Sequence, residues 1–264
     1  MLSGKVATIV GGGGGIGAAC ARALADAGAK VAIIDRSPEA AAAAATRIGG
    51  MAISADVASE TSLTEALDSI EGALGGVDIL INAAAIFQAP IPAARLSLEK
   101  WDDIVRVSQR GTFLTCQILG QRMAARGGGA IVNIASVAAM QSLPLYAYGP
   151  AKAAVVALSA SLAVEWGRSG VRVNALSPGF TLTPAVRAAI ESGAADMSAV
   201  AASSALNRLV APDEVAQAVL FLVSPAASAI TGINLPVDCG WLAGIGWTAY
   251  GGLDAFARAK RAGP

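Results

Sequence analysis

The sequence predicts an α/β fold, a doubly wound parallel sheet of seven strands covered by helices on both faces and forming one domain. Three observations predict it. Short apolar runs without polar alternation each lead into a helical segment, the pattern of strands buried on both sides. The first run ends in a glycine turn that opens a helix. Polar residues able to do chemistry stand at the carboxyl ends of the runs, where ligands bind in such sheets. With 264 residues and no linker, the chain suits one large domain with a sizeable core.

Lys5–Val10 (KVATIV) is the first strand, followed by Gly11-Gly12-Gly13-Gly14-Gly15-Ile16-Gly17 and an alanine-rich helix, Ala18–Ala27, that stops at Gly28. Lys30–Ile34 is the second strand, Pro38–Ile48 a helix, Met51–Ala55 the third strand and Glu60–Leu74 a helix. Asp78–Ile81 is the fourth strand. Ser97 caps one long helical stretch running to Arg126. Ala130–Ala135, Val171–Leu176 and Ile233–Val237 complete the seven strands, with helices over Tyr148–Arg168 and Asp213–Val223. Residues 181–211 carry few strong signals and read as a mobile lid over a site at the strand ends.

Composition removes several chemistries. There is no histidine, so imidazole-dependent triads and His-ligated metal sites are excluded. Cys20, Cys116 and Cys239 are odd in number and scattered, which suits core thiols of a reducing cytosol rather than disulfides or a metal site. A net charge of +0 with a pI near 6.3 offers no footprint for nucleic acid or an anionic membrane. No run of about 18 apolar residues suggests a membrane span. A strand begins almost at the N-terminus, so no signal peptide is expected and a cytoplasmic location is.

Strand, glycine turn and helix together are the arrangement in which backbone N–H groups and a helix N-terminus hold a pyrophosphate, and they make the sheet Rossmann-type. The turn fits both G-x-G-x-x-G, through Gly12, Gly14 and Gly17, and G-x-x-x-G-x-G, through Gly11, Gly15 and Gly17. Asp35 ends the second strand. A carboxylate there accepts hydrogen bonds from ribose hydroxyls and repels a 2′-phosphate. Residues 12–14 are all glycine and Arg36 is the only nearby cation, which favours NAD over NADP. Tyr148 and Lys152, four residues apart, share a helix face, with Pro150 admissible only in the first turn. A cation beside a phenol favours phenolate, so the pair predicts a proton acceptor with a lowered pKa.

With these residues in hand the chain resembles a short-chain dehydrogenase/reductase, of the branch with about 250 residues, from Lys5 to about Trp241. Gly11-x-x-x-Gly15-Ile16-Gly17 is similar to the family's TGxxxGIG, with Val10 in place of Thr. Asn82-Ala83-Ala84-Ala85 resembles NNAG. Asn133-Ile134-Ala135-Ser136 resembles the strand that ends in the catalytic serine, and Tyr148-Gly149-Pro150-Ala151-Lys152 is the YxxxK signature. Ser177-Pro178-Gly179 with Thr183 resembles the PG motif.

The resemblance implies Tyr148 as general acid/base, Lys152 as its pKa modifier and ribose ligand, and Ser136 as hydrogen-bond donor to the carbonyl. It implies Asp35 at the adenosine ribose, Asp56 and Val57 at the adenine, and the backbone at Asn82, Pro178 and Gly179, with Thr183, at the nicotinamide. Ile16, Arg36, Ala83, Ala84 and Thr181 join them around the cofactor. Ser108 stands where the family has an asparagine that holds a relay water, which implies a working but slower relay. Pocket candidates by the same analogy are Gln88, Met140, Gln141, Ser142 and Tyr146, whose polar members suit a polyol or sugar-like alcohol.

The leading expectation is an NAD-dependent oxidoreductase interconverting a small secondary alcohol and its ketone, without a metal. One alternative is a dinucleotide-binding scaffold or sensor, motivated by Ser108 and the altered NNAG. Another is a 3-oxoacyl carrier-protein reductase, disfavoured by Asp35 and the lack of a basic docking patch. The apolar helices 101–126 and 148–168 suit a homotetramer. The tail 242–264, with Trp247, Tyr250 and Phe256, reads as an extension that seals a subunit contact or covers a neighbouring site.

Overall fold

The computed structural model describes residues 1–252, apart from the side chain of Thr248; Phe256 lies outside the described residues. Seven parallel strands form one sheet in the order β3-β2-β1-β4-β5-β6-β7. They are β1 (Val6–Val10), β2 (Lys30–Asp35), β3 (Met51–Ser54), β4 (Ile79–Asn82), β5 (Gly129–Ile134), β6 (Val171–Pro178) and β7 (Asn234–Val237). The order reverses at β1, so the crevice between the β1 and β4 loops is the switch point where such sheets bind ligands.

Two cores flank the sheet, as runs apolar on both faces require. On one face Ala7, Ile9 and Ile33 pack against helices α1 (Gly15–Asp26) and α9 (Pro212–Val223). On the other, Val10, Ile34 and Leu80 pack under α3 (Glu60–Leu74), α5 (Thr112–Ala125) and α6 (Tyr148–Gly167). α2 (Pro38–Thr46) begins at Ser37, whose hydroxyl accepts the Ala40 N–H at 3.1 Å. Gly120 lets α5 approach α6 closely: a β-carbon there would stand 2.2 Å from the Trp166 ring.

The helix expected over Ser97–Arg126 is not uniform. α4 (Leu98–Ile104) starts at Ser97, which caps Lys100 N–H, and passes into a π-helical segment, Val105–Gly111, before α5. Such segments collect at functional sites because the extra residue re-aims the side chains around it. Here it turns Val107 toward the cleft and seats Gly111 against Val57, where a β-carbon would meet Val57 Cγ2 at 2.8 Å. Periodicity missed it because helical patterns on either side run up to the polar Ser108-Gln109-Arg110-Gly111 and bridge it.

Residues 181–211 also hold more order than their sequence signals. α7 (Pro184–Glu191) is capped by Thr183, and α8 (Ser198–Ala202) follows; neither buries a residue. Both helices are short and bury nothing, so they hardly stand out from a loop in the sequence. α10 (Trp241–Gly244) follows β7, and Phe180 packs edge-on against Trp241 at 5.2 Å between ring centres. Among the described residues no helix is long and apolar enough to cross a membrane.

Candidate active site

A cleft of about 280 Å³ opens at the switch point, lined by Gly11, Gly14, Asp35, Arg36, Ala55, Asp56, Val57, Ala83, Ala84, Ala85, Ile86 and Val107. Gly11 has φ +77°, and a β-carbon there would stand 2.4 Å from Ala84 N, so the β1 turn touches the β4 loop backbone to backbone. Gly17 serves packing: its β-carbon would lie 2.1 Å from Gly11 O. Gly14 is the α1 N-cap, has no side-chain cap, and would meet nothing within 4 Å if a β-carbon were added. Uncapped helix N–H groups beside open space fit an anionic ligand.

Asp35 is set by two backbone bonds. Its carboxylate accepts Gly13 N–H at 2.9 Å and Ser37 N–H at 3.1 Å, which fixes its orientation at the rim. Asp56 accepts Ala58 N–H at 2.9 Å and lies 3.8 Å from Arg106. Arg36 is exposed and Val57 buried. These glycines, this rim carboxylate and the uncapped α1 terminus fit an adenosine diphosphate moiety. The Asn82 side chain is buried, its amide donating to Asn133 at 2.8 Å and toward Cys116 Sγ at 3.3 Å. Among the described residues no cluster of His, Cys, Asp and Glu could hold a metal.

Beyond the cleft, Ser136 leads a short 3₁₀ turn and its hydroxyl accepts Ala138 N–H at 3.1 Å. Tyr148 opens α6 one turn before Lys152. Lys152 is 2% exposed, its ammonium donates to Ile134 O at 2.6 Å, and it stands 5.7 Å from the centre of the Tyr148 ring. Burial pulls the lysine down to about 8. It pushes the phenol up to about 12, and a hydrogen bond with Ser136 opposes that rise. The phenol thus lies above its ordinary value among the protein's own groups, where a lowering was expected, because burial outweighs the Ser136 hydrogen bond.

The remaining expected residues fall in three places. Pro178 ends β6, Gly179 N–H donates to Val237 O at 2.9 Å, and Thr181 hydroxyl donates to Gly179 O at 3.0 Å. Thr183 reaches the glycine turn, 3.5 Å from where a Gly15 β-carbon would stand. Met140, Ser142 and Tyr146 are exposed and Gln141 is half-buried. Gln88 is 1% exposed and its amide is already bonded to backbone, so it does not present a polar group to the pocket as expected. Ser108 is also buried, and its hydroxyl accepts Ile86 N–H at 3.1 Å.

Sequence reasoning missed Gly14 as the open glycine, and with it Ala85, Ile86 and Val107 as cleft walls. For Val107 a signal existed only in the resemblance, since the helical pattern gives the π-helical segment no mark of its own.

Residues 11–242 match a family model described as enoyl-(acyl carrier protein) reductase. The D-threitol dehydrogenase of Mycolicibacterium smegmatis is 42% identical over 246 residues, 91% of this chain and 94% of that protein. The chain is a short-chain dehydrogenase/reductase. Among solved structures of similar fold, a ribose-5-phosphate isomerase from Brucella melitensis 16M superposes with a TM-score of 0.92 at 45% identity, covering 96% of this chain and 98% of that one. A 3-ketoacyl-(acyl-carrier-protein) reductase from Brucella melitensis complexed with NADH gives a TM-score of 0.85 at 35% identity, covering 91% and 99%. This short-chain dehydrogenase/reductase is an oxidoreductase of secondary alcohols that uses a nicotinamide dinucleotide.

Proposed function

We propose that the chain is an NAD-preferring dehydrogenase of a polyol-like secondary alcohol, with Tyr148 as its general acid/base. The observation that carries the reading is Tyr148, Ser136 and Lys152 gathered at the strand ends beside a cleft whose rim carboxylate, Asp35, is held by the glycine turn. The substrate class rests on the D-threitol dehydrogenase relative.

When bound, the nicotinamide accepts or supplies the hydride. Tyr148 takes the proton from the alcohol during oxidation and returns it to the carbonyl oxygen during reduction. Ser136 donates a hydrogen bond to that oxygen and holds it beside the phenol. Lys152, anchored on Ile134 O, contributes positive charge beneath the ring, and ribose hydroxyls supply acceptors for its remaining hydrogens. Asp35 receives the adenosine ribose, and no cation stands at residues 12–14 to meet a 2′-phosphate. Residues 181–211 act as the lid, with Thr183 beside the glycine turn. Exposed apolar residues on α5 and α6, Phe113 and Val164, support a homotetramer.

The carrier-protein reductase reading needs a direct comparison, because a neighbour of that kind is complexed with NADH. Purified protein is offered D-threitol, galactitol, cyclohexanol or a 3-oxoacyl thioester, each with NAD(H) and NADP(H), while absorbance of the reduced nicotinamide is followed. Turnover of the polyols with NAD is expected. Turnover confined to the thioester, or none with any alcohol, overturns the reading.

A further inference from the structure

We infer that Gln88 is a positioning residue for the tyrosine, gripping the first turn of α6 from a loop sixty residues earlier. The inference rests on Tyr148 being the general acid/base. A helix leaves its first N–H groups without intrahelical acceptors, and Ser, Thr, Asp or Asn at the N-cap ordinarily supplies one. α6 has Ala147 at that position, with no side chain that accepts.

The donors of this turn are nevertheless all matched. Ala147 N–H and Tyr148 N–H both donate to the Gln88 amide oxygen, at 2.8 and 3.3 Å. Gly149 N–H goes to Leu145 O at 2.8 Å, Pro150 has no N–H, and Ala151 N–H reaches Ala147 O at 3.1 Å. One amide oxygen has two lone pairs, and both are used here. The other end of the same amide donates to Pro144 O at 3.5 Å. Gln88 therefore replaces the missing cap in trans.

Its location gives this cap a consequence. Ile86 lines the dinucleotide cleft, and its N–H is held by Ser108. Phe87 follows and packs its ring edge-on against the Tyr148 ring, 5.4 Å between centres. Gln88 then holds the backbone of the same tyrosine. Three consecutive residues thus touch, in turn, the cleft, the phenol ring and the peptide that carries it. A misplacement of about 1 Å in a reacting group costs about 100-fold in rate, so this short segment sets how the phenol meets a substrate oxygen.

Gln88→Met keeps the length and volume and deletes the acceptor. Gln88→Glu keeps an oxygen aimed at both N–H groups. Each is prepared as the full chain beside wild type and Tyr148→Phe, the last to identify the Tyr148 step in an alkaline tyrosinate absorbance titration. Gln88→Met is expected to admit water to the phenol and make it about tenfold easier to ionise. NAD affinity, read by quenching of tryptophan fluorescence, is expected to stay within twofold. Gln88→Glu keeps the grip but adds a negative charge beside the phenol, so its titration is expected at or above the wild-type value, opposite in direction to Gln88→Met. With D-threitol and NAD, Gln88→Met is expected to lower kcat about tenfold at unchanged KM for NAD. A wild-type titration in Gln88→Met overturns the inference, as does an NAD affinity that falls in step with it. Should Gln88→Met not fold, Gln88→Asn, which withdraws the oxygen by one methylene, is read the same way. Turnover retained by Tyr148→Phe removes the acid/base assignment alone, since the titration reports the grip independently.

Discussion

The ammonium of Lys152 donates to the carbonyl oxygen of Ile134 at 2.6 Å, inside a site where almost no solvent reaches it. This bond ties the middle of the acid/base pair to the end of β5, and it sets a pH signature. Burial draws the lysine from 10.5 to about 8. The folded chain therefore binds fewer protons than the unfolded chain between those values, and this group's contribution to stability rises with pH across that window. The full span corresponds to about 3 kcal/mol. Thermal denaturation of wild type and Lys152→Met from pH 7.5 to 10.5 is expected to show the wild type gaining several degrees relative to the variant. A constant difference would mean that the lysine ionises as freely as an exposed one.

The phenol carries the opposite sign. At about 12 it is protonated throughout the neutral range, so the donor form is always populated and the acceptor form is scarce. Ketone reduction is expected to be nearly flat between pH 6 and 8. Alcohol oxidation is expected to climb about tenfold per unit from pH 7 to 8 while proton removal limits the rate, and less steeply above, where Lys152 loses its charge. Steady-state rates in both directions test this. A plateau in oxidation below pH 8 would require a charge beyond the protein's own groups to be lowering the phenol.

Asp35 and Gly13 form a single recognition unit, because the Gly13 N–H bond aims the carboxylate. Asp35→Ser removes the charge that repels a 2′-phosphate. It is expected to raise KM for NAD about tenfold and to improve kcat/KM for NADP relative to NAD. Gly13→Ala is expected to weaken NAD as well without helping NADP, since its β-carbon would stand 2.7 Å from Asp35 Oδ2. Parallel kinetics with both cofactors distinguish the two effects.

Ser108 holds the Ile86 N–H in a fully buried position. Ser108→Ala leaves that donor unmatched at a cost of about 1–3 kcal/mol. A lower Tm and weaker dinucleotide binding are expected together. Ser108→Asn must fit a larger side chain at zero exposure, and a drop of about 1–3 kcal/mol is expected from overpacking. A stable, fully active Asn variant would show that the π-helical segment has slack.

Gly120→Ala drives a methyl into the Trp166 ring and is expected to cost about 1–3 kcal/mol with little change in KM for NAD, the helix pair shifting away from the cleft. Differential scanning calorimetry beside cofactor kinetics tests it.

Strand and helix order was legible because seven apolar runs, glycine punctuation and capping residues such as Ser97 agree with one another. The tyrosine, lysine and serine could be named because their spacing repeats a known motif, and the turn of the sheet brings Asp35 and Gly11 to one cleft. What escaped was long-range and polar. Nothing local to Gln88 or Ala147 announces a cap joining them, because that bond depends on how a loop folds across the sheet. The π-helical segment escaped because one extra residue per turn leaves hydrophobic spacing almost unchanged over so short a stretch. The sign of the phenol's shift escaped because sequence shows a neighbouring charge but not how dry the neighbourhood is.

Five adjacent glycines look interchangeable on the page, yet they differ in what they would tolerate. A side chain at position 12 would strike Ile33, and one at 13 would strike Asp35, while position 14 looks onto free space. An engineer wishing to convert this protein to the phosphorylated cofactor therefore has a single vacant seat for an arginine or lysine in the run, and Gly14 is that seat.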